Sequence, residues 1–260
     1  MSRPSFTVLA LGALLLGSPR VEAWPGDLSQ HIARDALKLV PRSLAEAFLA
    51  HETEIFADAR ASGMPALTLV YQDLPKGRLA DATRQAIALE VAERARALKG
   101  QDFRGAVIAL GAAYRLAVDL ADPGVGSGLG TDGTASAIRR EFYLFVAANR
   151  EKIPLVVVEP GSMRIGLEAI PGFLAEVSAR TPAQSALLRR EGQEGGRILP
   201  HAGIDFRSPV FAVASTAYSR SVSAVAAVWI AIWRSAGGDM TRQKTPWTIN
   251  PKPKEPSEES

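Results

Sequence analysis

The chain has 260 residues, of which 47% are hydrophobic and 22% are charged, and its formal net charge is +3. This composition is sufficient for one sizeable core and excludes a mostly disordered chain. Lys and Arg are scattered along the sequence, which does not favour a nucleic-acid-binding surface, and the absence of Cys excludes a disulfide framework.

The first 23 residues have the pattern of a secretory signal peptide. Arg3 supplies a positive start, residues 7–17 (TVLALGALLLG) form an apolar run, and Ala23 stands at a suitable cleavage point. The apolar run is short for a membrane span, so cleavage before Trp24 is favoured over an uncleaved anchor. The sequence therefore predicts a secreted or periplasmic protein whose mature chain has no transmembrane segment.

Helical patterns follow one another through the mature chain. The predicted helices cover about 28–40, 44–59, 81–99, 103–123, 134–150, 166–180, 182–190 and 209–235. Gly and Pro predict a loop over residues 61–80, and the β-like run 154–160 is too short and isolated to indicate a sheet. We therefore predict an all-α, multi-helix single domain over residues 24–240 and a disordered tail over residues 241–260.

The last predicted helix is apolar over most of its length. Between Pro209 and Trp233 it carries one charge, Arg220, which would be costly near the middle of a bilayer. This pattern favours a helix buried in a bundle over a membrane span.

The helix that ends at Pro123 carries an unusual set of charged residues on an apolar background. Arg115 and Asp119 are four positions apart and therefore share a face, and Asp122 stands just before the end of the helix. On this helix alone, an exposed and weak ion pair is the simplest interpretation. A functional site is the alternative.

Five residues in order strengthen that alternative. They are Trp24 at the predicted cleavage point, His31 in the first helix, Asp58 at the end of the second, Asp119 four residues before Pro123, and Glu141 in the next helix. This order resembles the metal-ligand pattern of the bacterial zinc-dependent phospholipases C and of the fungal and plant zinc-dependent single-strand nucleases, which share one all-α fold. The resemblance covers about residues 24–150.

The resemblance also implies that most of the metal site is missing. The family holds three zinc ions with several histidines, and the corresponding positions here are Leu69, Arg115, Val125 and Ala137. A three-zinc site therefore cannot be assembled.

The remnant metal ligands implied by the resemblance are Trp24, His31, Asp58, Asp119 and Glu141. The Trp24 amine and carbonyl, His31 and Asp119 would suffice for one zinc ion completed by water. The alternative is no metal at all, with His31 and Asp119 held by ordinary hydrogen bonds and ion pairs. Both alternatives stay open.

Arg115 stands where the family has a histidine ligand, and this suggests a hypothesis. If the fold is kept, Asp58 and Asp119 converge, and two carboxylates without a cation repel each other. A guanidinium can bond both acids, so we expect Arg115 to act as a structural counter-charge in place of a metal ion. An Arg115 guanidinium more than about 5 Å from both carboxylates would exclude this role.

These features predict an exported protein related to the phospholipases C and nucleases, with impaired or absent catalysis. At most it would be a weak single-metal hydrolase of phospholipid or another phosphodiester, with Asp58 as the base for a metal-bound water. The alternative is a non-enzymatic periplasmic helical protein with a binding or structural role.

Overall fold

Helices build the described part of the protein. A computed structural model describes residues 23–61, 65–100, 102–130, 132–158, 160–194 and 205–241, and these ranges contain ten α-helices and no β-strand. The prediction of an all-α fold is therefore confirmed. The helices are α1 (Gly26–Ala36), α2 (Arg42–Ala50), α3 (Glu52–Ala61), α4 (Pro65–Asp73), α5 (Asp81–Ala97), α6 (Phe103–Leu120), α7 (Gly133–Asn149), α8 (Ile170–Ala179), α9 (Thr181–Glu194) and α10 (Pro209–Ser235).

Helix α10 is the centre of the fold. It has 27 residues, all of those from Ala217 to Trp233 are buried, and α1, α5, α6, α8 and α9 pack around it. Its start is fixed by Ser208, whose hydroxyl accepts a hydrogen bond from the Phe211 amide at 3.2 Å, and by Pro209 at the first helical position. The prediction of a buried helix is confirmed, and none of the described helices is long and apolar enough to cross a membrane.

One hydrophobic core joins the elements. Buried side chains from all ten helices form a continuous cluster. Trp229 of α10 lies near its middle, with its ring centroid 4.7 Å from that of Phe48 and its indole N–H donating to the Leu110 carbonyl at 3.2 Å. The predicted signal peptide (1–23) and tail (241–260) lie almost entirely outside the described residues.

The helix predicted over residues 44–59 is two helices in the structure. Helix α2 ends at Ala50 and α3 begins at Glu52, with His51 between them in a non-helical conformation. No Gly or Pro marks this break in the sequence. The continuous-helix prediction was wrong because packing between helices, rather than local sequence, decides the direction of α3.

The loop predicted over residues 61–80 was also wrong. Residues Pro65–Asp73 form α4, which buries Leu67 and Val70 against the core. Pro65 was interpreted as a helix breaker, but it occupies the first helical position, where its missing N–H costs nothing.

The described part of the β-like run after α7, residues 154–158, forms no strand and bonds to a helix. The backbone N–H of Val156 donates to the Ser219 hydroxyl at 3.2 Å, and that of Val158 donates to the Ser223 hydroxyl at 3.0 Å. Both serines belong to α10. Their hydroxyls therefore satisfy backbone groups that would otherwise need a neighbouring strand.

Helices α3 and α6 approach each other closely at Gly111. A Cβ atom at this position would overlap the Ile55 carbonyl oxygen and lie 2.7 Å from the Ile55 Cγ2 atom. We expect Gly111→Ala to lower the free energy of unfolding by about 1–3 kcal/mol, because the clash with backbone outweighs the better helix propensity of Ala. Urea unfolding followed by circular dichroism measures this change.

The matched control for that experiment is Gly133→Ala. Gly133 is the first residue of α7, and a Cβ atom there would meet no atom of another element within 4 Å. We therefore expect this substitution to be neutral or slightly stabilising. Equal effects of the two substitutions would contradict the close contact between α3 and α6.

Candidate functional site

Asp119 lies near the end of α6 in a buried polar cluster. Its side chain is 2% exposed, and its Oδ2 atom accepts a hydrogen bond of 2.5 Å from the Tyr71 hydroxyl. Arg115 Nη2 lies 3.5 Å from the same oxygen and donates to the Tyr71 hydroxyl oxygen at 3.3 Å. We call Tyr71, Arg115 and Asp119 the α6 cluster.

Two helices position the α6 cluster. Arg115 and Asp119 are one turn apart on α6, so their side chains lie on the same face. Tyr71 comes from α4, whose packing against α6 brings the phenol to the carboxylate. The cluster thus depends on the helix that the sequence did not predict.

The electrostatics of the α6 cluster fix the protonation states of Tyr71 and Arg115. Burial first, and then the charge of Asp119, raise the pKa of the Tyr71 phenol, which therefore remains a hydrogen-bond donor. Burial opposes the charge of Arg115, but the Asp119 carboxylate and Tyr71 together outweigh burial and raise the pKa of the guanidinium. The cluster is a buried ion pair with a neutral tyrosine.

A second buried acid, Asp122, lies just beyond the end of α6. The Tyr143 hydroxyl donates to its Oδ2 atom at 2.6 Å, and the Gly124 amide donates to its Oδ1 atom at 2.7 Å. Complete burial raises the pKa of the Asp122 carboxyl to about 7, against the lowering effect of these two hydrogen bonds, and the charge of Asp119 adds to the rise. The folded state therefore favours the protonated form of Asp122.

Trp24 packs beside this second acid. Its ring centroid lies 5.7 Å from the rings of Phe142 and Tyr143, and its side chain is buried. The indole N–H has no hydrogen-bond partner in the described structure. Trp24 thus contacts the tyrosine that holds Asp122.

His31 belongs to a different site, a surface pocket of about 410 Å³ that we call the His31 pocket. Its polar lining is formed by His31, Arg34, Asp35, Lys38, Arg150, Glu151 and Tyr218. Burial, followed by the positive charges of Arg150 and Arg34, lowers the pKa of the His31 imidazole, so that it is neutral at pH 7.

The structure brings some of the predicted site residues together and separates others. The predicted pairing of Arg115 with Asp119 is present, and their 3.5 Å separation meets the 5 Å limit set above. His31 and Asp119 lie in the two different polar groups just described. Glu141 is a half-buried residue of α7, and Asp58 lies on α3 with its side chain outside the described part of the structure.

The described side chains do not provide a metal site by themselves. Among them, no group of three or more His, Cys, Asp and Glu residues could hold a metal ion. Asp119 Oδ2 already accepts a hydrogen bond from Tyr71 and lies 3.5 Å from Arg115 Nη2. The predicted zinc site that includes Asp58 stays a prediction.

Sequence reasoning missed the tyrosines that hold the acids. Tyr71 lay in a predicted loop, and Tyr143 lies on α7 with no local relation to Asp122, 21 positions earlier. No sequence motif marks Arg150 as a site residue, because its place in the His31 pocket depends on how α1, α7 and α10 pack. Only the Arg115–Asp119 spacing was a local signal.

No protein-family model matches the chain, and no curated protein or solved structure shows significant similarity to it. The resemblance to the zinc-dependent phospholipases C and nucleases therefore depends on the residues named above.

Proposed function

We propose that the protein is an exported, non-catalytic relative of the zinc-dependent phospholipases C and nucleases, in which an arginine and a tyrosine take the place of a metal ion. The observation that carries this proposal is the shared Oδ2 atom of Asp119, which accepts from Tyr71 and faces Arg115. Arg115 stands at a position where the family has a histidine ligand.

The chemistry of the α6 cluster supports an inactive site. A guanidinium neutralises a buried carboxylate, but it does not lower the pKa of a bound water as a zinc ion does. The raised pKa of Tyr71 keeps its phenol protonated, so the phenolate is not available as a nucleophile or base. The α6 cluster therefore stabilises the fold without activating water.

Burial at the predicted cleavage point sets a condition on export. Ala23 and Trp24 are 2% and 3% exposed, so a peptidase would reach the bond between them only before the chain folds. Cleavage before folding is expected for a chain that crosses a membrane in the unfolded state. Edman degradation of the exported protein should begin at Trp24, and an N-terminus upstream of Ala23 would contradict the predicted cleavage.

Zinc analysis and a hydrolysis assay test the proposed loss of catalysis. The mature protein is purified from the exported fraction, its zinc is measured by mass spectrometry, and hydrolysis of bis(p-nitrophenyl) phosphate is followed with added zinc. We expect substoichiometric zinc and hydrolysis no faster than that of the Asp119→Asn variant. Stoichiometric zinc together with hydrolysis that Asp119→Asn abolishes would establish a weak single-metal phosphodiesterase instead.

A binding role is the second candidate function, and the His31 pocket favours it. The pocket combines cationic side chains with the apolar Ile153 and Leu155, a combination suited to small ligands. In that case the α6 cluster is structural and the pocket carries the function.

A further inference from the structure

The charges around the His31 pocket are unequally neutralised. Lys38 Nζ lies 2.6 Å from Asp35 Oδ1, and the Tyr218 hydroxyl donates to Asp35 Oδ2 at 2.7 Å, so both oxygens of that acid are occupied. Arg34 Nε lies 2.6 Å from Glu52 Oε1. Two of the three cations in the lining therefore already have a close acidic partner.

Arg150 is the exception among the lining cations. Its guanidinium lies 4.0 Å from Glu151 Oε1, beyond hydrogen-bond distance, and it makes no hydrogen bond within the described part of the chain. The Arg150 side chain is 28% exposed whereas that of Glu151 is 90% exposed, so solvent largely screens the acid. A half-buried guanidinium, paired only loosely with the exposed Glu151 that also lines the pocket, therefore presents its donors there.

The apolar part of the lining is suited to the hydrocarbon portion of a small organic ligand. Ile153 and Leu155 of the extended segment and the ring of Tyr218 supply an apolar wall beside the charged residues. The volume of about 410 Å³ lies in the lower range of ligand sites and exceeds what a bare inorganic ion needs.

We propose that the His31 pocket binds a small organic oxyanion, with the Arg150 guanidinium holding the anionic group, His31 as a hydrogen-bond donor beside it, and the apolar wall holding the rest of the ligand. A guanidinium presents parallel N–H donors that match a phosphate or a carboxylate. The His31 pocket shares no lining residue with the α6 cluster, so this proposal does not depend on whether Asp119 corresponds to a metal ligand.

Titration with simple probes tests this site. Phenyl phosphate and benzoate carry the two candidate oxyanions on the same ring, and benzyl alcohol carries none. Binding is followed with the full mature chain by amide chemical shifts in ¹H–¹⁵N spectra. We expect saturable binding of at least one anion, no saturable binding of benzyl alcohol, and shift changes centred on His31, Leu155 and Tyr218.

Arg150→Gln is the decisive variant, and Arg140→Gln is its matched control. Arg140 is an exposed arginine on the preceding helix, outside the pocket. We expect Arg150→Gln to weaken binding of the anion by about tenfold or more, because it removes charge-assisted hydrogen bonds, and Arg140→Gln to leave the affinity unchanged. Arg150→Lys, which keeps the charge without the fork of donors, should bind with intermediate affinity.

Each other outcome overturns the proposal. The site is excluded if neither anion shows saturable binding, or if Arg150→Gln and Arg140→Gln lose affinity equally. It is also excluded if the chemical-shift changes lie away from the pocket. Thermal unfolding of Arg150→Gln shows whether the variant is folded, and Arg150→Lys supplies the comparison if it is not. The relative affinities of phenyl phosphate and benzoate identify the oxyanion.

Discussion

Replacing Arg115 with Met is expected to lower the free energy of unfolding by about 3 kcal/mol. The substitution keeps most of the side-chain volume but leaves the Asp119 carboxylate buried without the positive charge of Arg115. Breaking a buried ion pair on one side costs about 3–5 kcal/mol, and the lower end applies because the Arg115 side chain is 18% exposed. Urea unfolding at pH 7, followed by circular dichroism, measures the loss.

A double variant separates the charge from the packing. Asp119→Asn removes the charge that Arg115 neutralises, so Arg115→Met combined with Asp119→Asn should regain a large part of the lost stability. Arg42→Met is the surface control, since the Arg42–Glu46 pair has the same spacing with side chains 70% and 60% exposed, and its loss should lower stability much less than the loss of Arg115. Similar small losses for Arg115→Met and Arg42→Met would contradict the counter-charge role.

The elements that the sequence predicted well are those whose boundaries are marked locally. Helix α10 was predicted over its observed range because Ser208 and Pro209 mark its start and Gly237 follows its end. Its burial followed from the single charge at Arg220. Such boundaries depend only on residues that are neighbours in sequence, so the sequence pattern is sufficient to predict them.

The predictions that failed concern elements whose boundaries depend on contacts between helices. Helix α4 begins at a proline that could equally have ended a segment, and only its packing against α5 and α6 settles the choice. The break at His51 has no breaker residue. In both cases the buried area between helices outweighs local preference.

The same distinction separates the predicted and missed parts of the site. The Arg115–Asp119 pair follows from a spacing of four on one helix, and the structure confirms it. Its burial and its third member, Tyr71, follow from tertiary packing. For that reason the interpretation of Arg115 and Asp119 as an exposed ion pair, which used this helix alone, was wrong. The interpretation that also considered residues of other helices placed the pair inside a site, and Asp119 is buried.

Asp122→Asn is expected to change stability in a strongly pH-dependent way. The folded protein holds the pKa of Asp122 at about 7, above its ordinary value of 3.8, so the folded state binds a proton that the unfolded state has released. Stability from this group is fully present below about pH 4 and is lost as the pH rises through 7. The loss is about 1.4 kcal/mol per pH unit, or up to about 4 kcal/mol in all.

Asparagine mimics the protonated acid, because its amide can bond the Tyr143 oxygen while its carbonyl accepts from Gly124. The difference in unfolding free energy, variant minus wild type, should therefore rise from pH 4 to pH 7 and then level off. Urea unfolding at a series of pH values measures this difference, and the comparison cancels the other titrating groups common to both proteins.

Asp73→Asn provides a control of opposite sign. Burial would raise the pKa of the Asp73 carboxyl, but hydrogen bonds from Lys76, Thr83 and the Ala80 amide outweigh it and lower the pKa to about 2. Its stabilisation is present above about pH 4 and is lost as the pH falls towards 2, so the deficit of Asp73→Asn should shrink on acidification. A pH-independent difference for Asp122→Asn would mean that Tyr143, Gly124 and Arg139 outweigh burial and keep Asp122 ionised. Asp122 would then be a buried carboxylate stabilised by those three groups, and the α6 cluster of Tyr71, Arg115 and Asp119 would be unchanged.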